Sequence, residues 1–465
     1  MKTFIKETLG LIGQEVELKG WIHVRRDMGK ISFIDLRDST GIIQVVLVPG
    51  EMDESKELIK DLKPEYVVAI KGVVQERNAK SINENLVTGK IEVLAKNLVI
   101  INEAALTPFE INTEERQANE ELRLKYRYLD LRHERLAKNL TLRHNVIAFL
   151  RQSLSNAGFR EIETPCLTKS TPEGARDFVV PSRNYPGKFY ALPQSPQQYK
   201  QMLMVAGIER YFQIARCFRD EDQRGDRQAE FTQFDIEMSF VEQEDLLQLT
   251  EKMLVELVKT VTPEKKIQQV PFPRITFTEA MSKYGSDKPD IRNDKNDPNL
   301  LAFCWVVDFP MFEYKEGDKR WGATHHPFTA IQDQYVEFLG DTKKKMSEIL
   351  AKQYDITLNG NEIGGGSIRT HNPKILAKVF EVLGHAPEEI QAKFGHLLEA
   401  FKYGVPPHGG IAWGLDRLIM LLAGEESIRE VIPFPKTADN RDPLMDSPSV
   451  IDAEQMTDLH LAIKK

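Results

Sequence analysis

The chain has 465 residues, more than one hydrophobic core ordinarily serves, so two or three domains are expected. A hydrophobic content of 41%, a charged content of 28% and the absence of any apolar run of spanning length describe a water-soluble globular protein and argue against a membrane protein. A formal net charge of −8 argues against a general polyanion binder, so nucleic-acid contact must come from local basic patches. The cysteines Cys166, Cys217 and Cys304 are far apart, odd in number and without metal-ligand spacing, which suits a reducing compartment. Met1 to Glu7 has neither a signal-peptide h-region nor an Arg-rich transit composition, and a cytoplasmic protein is expected.

From Gln14 to Ile101 the pattern predicts five short strands: Val16 to Val24, Ile31 to Leu36, Ile42 to Val48, Tyr66 to Val74 and Ile91 to Ile100. With a helix over Asp53 to Leu62 between the third and fourth strands, they fit the five-stranded barrel of the OB-fold. Arg25, Arg26, Phe33, Gln44 and Glu92 would give it a face with phosphate cations, a stacking ring and base-edge hydrogen-bonding groups, suited to unstacked RNA bases. A phenylalanine on a strand also suits a core, so the RNA reading rests on the ensemble. The expected domains are 1–104, a linker or hinge over 105–138, and 139–465. Within the linker, Glu120 to Arg135 reads as one basic amphipathic helical stretch, either solvated or facing RNA.

A helix from Leu140 to Asn156 stops at Gly158 and is followed by a strand over Phe159 to Glu163. Further helices are expected over Leu246 to Lys259, Asp341 to Gln353 and Pro373 to Leu383. Strands with segregated helices predict an α+β fold with an antiparallel sheet. Between two strand-like segments lies the charged loop Phe-Arg-Asp-Glu-Asp-Gln-Arg-Gly-Asp-Arg, starting at Phe218. After it, Phe231, Gln233, Asp235 and Glu237 share one face of a strand, while Thr232, Phe234, Ile236 and Met238 share the other. The polar face offers a ring and fixed acceptors suited to a cationic group. Arg219 at the loop mouth suits a phosphate.

Asn359-Gly360 is a hairpin signal that places Thr357 opposite Glu362 and Asp355 diagonal to it, so two carboxylates converge and, with phosphate oxygens, suit Mg²⁺. Gly364 to Gly366 leave a floor without side chains. A strand entering a turn at Gly414 opens a helix at Asp416-Arg417, where guanidinium and helix dipole favour an anion. Ser170 to Asp177 reads as a loop with Gly174 as hinge and Glu173 as its charge. Gln197 and Lys200 stand about one helical turn apart, and His325-His326 read as hydrogen-bonding groups rather than zinc ligands. No G-x-G-x-x-G or Walker A motif occurs.

The order of a long helix ending in a proline strand through Pro165, the Phe-Arg-Asp-Glu loop and the Gly-Leu-Asp-Arg strand-helix resembles the class II aminoacyl-tRNA synthetases. Gln-Ser-Pro-Gln, Thr-Pro-Glu-Gly-Ala-Arg-Asp, His-His-Pro-Phe-Thr, Glu-Ile-Gly-Gly-Gly-Ser-Ile-Arg and Gly-Val-Pro-Pro-His-Gly-Gly resemble the bacterial type of aspartyl-tRNA synthetase over nearly the whole chain. That resemblance implies ATP-dependent formation of aspartyl-adenylate and transfer to the 3′ end of tRNA-Asp. It implies ATP contacts from Arg219, Glu221, Arg227, Phe231, Glu362 and Arg417, with Arg219, Glu221 and Arg417 catalytic, and Mg²⁺ on Asp355 and Glu362. Aspartate would meet Glu173, Gln197, Lys200, Gln233, Asp235, His325, His326 and Arg369. Anticodon bases would meet Arg25, Arg26, Phe33, Gln44 and Glu92. A homodimer through motif 1 is also implied. The large inserted domain usual in the bacterial type is missing, since only a dozen residues join Gly285–Arg292 to Trp305–Pro310, a shortened site near 288–304; a C-terminal extension closes the chain. Alternative readings are an enzyme that also aspartylates tRNA-Asn and an inactive RNA-binding paralogue.

Overall fold

In the N-terminal segment, alternation of apolar and polar residues bends five strands into a closed barrel: β1 (Glu15–Met28), β2 (Ile31–Asp38), β3 (Gly41–Leu47), β4 (Val67–Glu76) and β5 (Ile91–Asn102). Their order around the barrel is β1-β2-β3-β5-β4, with β3 and β5 parallel and the other pairs antiparallel. Ile34, Leu36, Ile43, Val45, Ile70 and Val93 point inward and are fully buried. The helix expected over 53–62 is a 3₁₀ helix, Glu54–Asp61, capped by the Asp53 carboxylate on the Ser55 amide; Ile59 and Leu62 join the barrel core. The computed structural model describes residues 2–113, 118–170, 174–223, 226–317 and 319–464. It divides into two compact units, 1–134 and 135–465.

The single helix expected over 120–135 is broken into Glu120–Lys125 and Arg127–Asp130. The cause is a buried carboxylate. Asp130 takes two hydrogen bonds from Arg123, both of 3.0 Å, and one of 2.6 Å from Arg127, so these cations turn inward instead of facing water or RNA. Burial opposes the charge on Asp130, but His133, Arg123 and Arg127 outweigh it and hold its pKa down at about 2.

The second unit is built on eight strands: β6 (Arg160–Glu161), β7 (Arg210–Phe218), β8 (Glu230–Ser239), β9 (Arg274–Thr276), β10 (Phe303–Val307), β11 (Gln353–Leu358), β12 (Asn361–Ile368) and β13 (His408–Gly414). The sheet order is β9-β10-β11-β12-β13-β8-β7-β6. The expected antiparallel sheet is mixed: six central strands are antiparallel, whereas β6 pairs with β7, and β9 with β10, in parallel at the edges. The strand expected over 159–163 shrinks to β6 because it finds partners only in Tyr211 and Phe212. The helix expected over 341–353 is only Lys343–Ser347. From Gln353 onward Tyr354, Ile356 and Leu358 enter the core on alternate positions, and this period of two makes a strand.

Helices α1 (Glu134–Asn156), α2 (Gln197–Val205), α3 (Gln243–Val261), α4 (Pro373–Val382), α5 (Pro387–Phe401) and α6 (Leu415–Ala423) complete the layers. One sheet face sends Phe212, Phe234, Ile236, Trp305, Tyr354, Ile411 and Trp413 into a core shared with Val146 and Leu150 of α1, Leu254 and Leu257 of α3 and Leu418 and Ile419 of α6. The opposite parity of the same strands is polar and carries the site.

Candidate active site

The hairpin register puts Phe231 opposite Cys217, Gln233 opposite Ala215 and Asp235 opposite Gln213, so the polar parity read along β8 lies on one face. Asp235 and Glu237 are both buried, facing two cations. Lys200 on α2 places its ammonium 2.5 Å from Asp235 Oδ1 and 3.2 Å from Glu237 Oε2. Arg369, just after β12, donates through Nε and Nη2 to the two oxygens of Glu237 at 3.0 and 3.1 Å. The four formal charges balance, which is what burial demands. Burial would raise the pKa of Glu237, yet Arg369 and Lys200 hold it at about 2; Asp235 is shifted upward by burial against the pull of Lys200. Asp235 Oδ2 is buried and accepts no hydrogen bond.

A cavity of about 520 Å³ opens beside this cluster, and Lys200, Arg369, Gln197 and Gln233 line it. His325 and His326 line it as well. Arg369 Nη1 donates to His326 Nε2 at 3.0 Å, and burial and that guanidinium keep this imidazole neutral by lowering its pKa. On the far side stand Arg219, Glu221, Arg227, Phe231 and Arg417. The Arg219 guanidinium lies 5.1 Å from the Phe231 ring centroid, and its buried Nε has no acceptor. Arg417, in the first turn of α6, donates to the Glu362 carbonyl at 2.6 Å and to Asp226 at 3.0 Å, while its Nε is also unpartnered. Arg227 pairs with Glu221 at 3.3 Å.

The β11–β12 hairpin places Thr357 opposite Glu362, with a bulge at Ile356/Thr357. Glu362 lines the cavity, and Lys288 reaches its carboxylate at 3.2 Å. Asp355 is buried on the same face, directly across the ladder from Gly365: a β-carbon on Gly365 would lie 2.7 Å from Asp355 Oδ1 and 3.6 Å from His325 Nε2. Burial and the nearby Glu362 charge raise the Asp355 pKa well above the usual range. Glu173 lies outside the described residues. Among the described residues no group of three or more His, Cys, Asp or Glu gathers at metal distance.

In the barrel unit, Arg26 bonds Asp35 at 2.9 Å and Gln44 at 3.2 Å, and Gln44 donates to Glu92 at 2.8 Å, forming a polar row across β1, β2, β3 and β5. Phe33 pairs with Arg26 in register and shares this half-open face. Arg25 does not join them. Its neighbour parity sends it the other way, where it donates to the Leu62 carbonyl at 2.7 Å.

Glu237 as the anchor of Arg369 escaped the sequence reading, as did Gln201, His408 and Lys288. Parity along β8 already set Glu237 beside Asp235, but its cationic partners lie far away in sequence. Gly410 carries the same information: a β-carbon there would come within 2.0 Å of Glu237 Oε2.

Residues 119–438 match the family of class II tRNA synthetases (D, K and N), and 16–101 match the OB-fold nucleic acid binding domain family. The aspartate–tRNA(Asp/Asn) ligase of Dehalococcoides mccartyi strain 195 is 41% identical over 97% of each chain, and the aspartate–tRNA ligase of Staphylococcus aureus is 40% identical over 98% of each. The chain therefore belongs to the class II tRNA synthetases and, within them, to the aspartate–tRNA ligase family. The first of these alignments extends over 586 positions against 465 residues, so more than a hundred positions are unmatched here. The fold is also that of Pyrococcus horikoshii asparaginyl-tRNA synthetase complexed with asparaginyl-adenylate, with TM-score 0.74, 24% identity and coverage of 94% of this chain and 98% of that one. Aspartyl-tRNA synthetase from Entamoeba histolytica gives TM-score 0.73 at 21% identity, covering 95% and 93%.

Proposed function

We propose that the cavity seats L-aspartate and ATP side by side, joins them as aspartyl-adenylate with release of pyrophosphate, and passes the aspartyl group to the 3′ end of tRNA-Asp with release of AMP. The observation that carries this reading is the buried cluster of Lys200, Asp235, Glu237 and Arg369 beside a cavity that also holds two phosphate-ready guanidiniums. Asp235 Oδ2, which lacks a hydrogen bond, takes the substrate ammonium, helped by Gln197, Gln233 and Glu173. Arg369 and Lys200 take the side-chain carboxylate, with His325 and His326 beside them. Arg369 is preorganised because Glu237 already holds one edge of its fork.

The substrate α-carboxylate is ionised and needs no base, so catalysis consists of positioning and of neutralising phosphate charge. Arg219 takes the α-phosphate, and the carboxylate oxygen attacks phosphorus as the bond to pyrophosphate breaks. Arg417 takes the γ-phosphate, while Glu221 reads the adenine against Phe231 and Arg227 adds charge at the rim. The Arg417–Asp226 and Arg227–Glu221 pairs are partly exposed, and such pairs are worth at most about 1 kcal/mol, so phosphate displaces them readily. Glu362 and Asp355 suit Mg²⁺: two carboxylates, of which Asp355 has its pKa raised by burial and by the Glu362 charge, form a hard-oxygen donor set that nucleotide phosphates would complete. Bound there, Mg²⁺ supplies neutralisation of phosphate charge.

Asparagine in this pocket sets an amide NH₂ against Lys200 and Arg369. Leaving a buried cation unpaired costs roughly 2 to 5 kcal/mol, a rejection of tens- to thousands-fold. Arg369→Ala is expected to abolish aspartate-dependent ATP–pyrophosphate exchange while ATP binding persists; unchanged exchange overturns the assignment of the pocket. The barrel face with Arg26, Phe33, Gln44 and Glu92 is read as the anticodon site, with Arg25 supporting it from the other side. The names of relatives at 41% identity raise a second reading, charging of tRNA-Asn as well as tRNA-Asp. Aminoacylation of each purified tRNA with labelled aspartate separates the two. Dimerisation through α1 and the strand leading to Pro165, tested by sizing chromatography, and a cytoplasmic location complete the proposal.

A further inference from the structure

Gln197 lines the cavity, and an amide side chain presents either an acceptor or a donor depending on a rotation that changes its shape hardly at all. Three buried residues behind it remove that choice. His408 Nδ1 is 2.8 Å from the Pro406 carbonyl, an acceptor only, so Nδ1 carries the proton and donates. Burial lowers the pKa of His408 and keeps the ring neutral, which leaves Nε2 as an acceptor. The Gln201 NH₂ lies 3.1 Å from that Nε2 and donates to it. The Gln201 oxygen is therefore turned toward α2, where it accepts from the Gln197 NH₂ at 3.1 Å. Gln201 and His408 are fully buried and Gln197 is nearly so, so water cannot supply alternative partners to the middle of the chain.

We infer that His408 and Gln201 are positioning residues that set the polarity of the Gln197 amide, so that its carbonyl oxygen, not its NH₂, faces the ammonium of the amino acid substrate. The Pro406 carbonyl starts the relay, and each member permits only one orientation of the next. Reversing it would set the lone pair of Nδ1 against that of the carbonyl oxygen. The geometry holds across the fold because Gln197 and Gln201 are four residues apart on α2 and His408 opens β13. The Phe401 ring, edge-on to His408 at 6.0 Å, keeps the imidazole in place.

This inference rests on reading the cavity as the aspartate site, and the test separates the two. Succinate is aspartate without its amine, so the ratio of aspartate to succinate affinity isolates the ammonium contacts. Both are measured by equilibrium binding to the intact chain and its variants, with ATP binding as the control for folding. The wild type prefers aspartate. In Gln201→Met and His408→Leu, aspartate affinity is expected to fall about tenfold while succinate affinity and ATP binding are unchanged. His408→Gln, whose side-chain oxygen takes the place of Nε2 as acceptor, retains the preference. An unchanged ratio in Gln201→Met, or equal weakening of both ligands, overturns the relay. Equal wild-type binding of succinate and aspartate overturns the ammonium reading itself and the relay with it.

Discussion

Glu237 does its work without facing the cavity. It accepts two hydrogen bonds from Arg369 and a third contact from Lys200, so it orients both groups proposed to hold the substrate carboxylate. Its folded pKa of about 2 lies below the ordinary 4.5, so its contribution to stability is present above pH 4.5 and is lost as pH falls through about 2. That difference corresponds to something on the order of 3 kcal/mol. Glu237→Gln is expected to destabilise the catalytic unit by about 3 to 5 kcal/mol at neutral pH, because one positive charge is left buried without its partner. It should also flatten the loss of stability between pH 4.5 and 2. Urea unfolding across that range checks both, and an acid limb as steep as that of the wild type refutes the assignment. Asp235 is shifted in the opposite direction, by burial first and also by the Glu237 charge, so its own titration moves down when that charge is removed, and making the comparison in an Asp235→Asn background takes its contribution out.

At the scale of elements, the run Gly364 to Gly366 shows one strand serving two layers. A β-carbon on Gly366 would meet the Gly410 carbonyl at 2.3 Å and the Tyr354 ring at 2.6 Å, and one on Gly364 would meet the Trp413 ring at 2.7 Å. Gly365 points the other way, toward the Asp355 carboxylate. Gly366→Ala is therefore expected to cost about 1 to 3 kcal/mol or more in unfolding free energy, since backbone and core rings must move. Gly365→Ala is expected to cost less stability and to lower the rate of pyrophosphate exchange. Denaturation curves and exchange rates on the same two variants test the contrast, and equal losses in both remove the distinction. Strands were legible wherever alternation ran for five or more residues. The edge strand β9 and the broken stretch over 120–135 were not, and the edge strand β6 was read too long, because partners at the sheet edge and the buried Asp130 decided them.

Across the whole molecule, the chain separates two tasks into two units, and each has its own core and its own polar face. The barrel row of Arg26, Gln44 and Glu92 presents hydrogen-bonding groups already aligned by one another, as recognition of base edges requires. Gln44→Ala is expected to raise the KM for tRNA by tenfold or so while ATP–pyrophosphate exchange is unchanged. Steady-state aminoacylation beside exchange measures both, and equal loss in each contradicts the assignment of the barrel.

The sequence by itself determined the two folds, the family and the parity of the β8 face, because alternation, hairpin signals and motif order are written in neighbouring residues. It also separated Gln197, Lys200 and Asp235 from the core. Which carboxylate meets which cation, which way the Gln197 amide turns, and that Arg25 leaves the barrel face while the Asp355 carboxylate fills the space beside Gly365 were decided only by the tertiary structure. Gln201 and His408 are 207 residues apart and Glu237 and Arg369 are 132 apart. Buried polar groups are governed by distances of about 3 Å and by the exclusion of water, and no spacing along the chain encodes either.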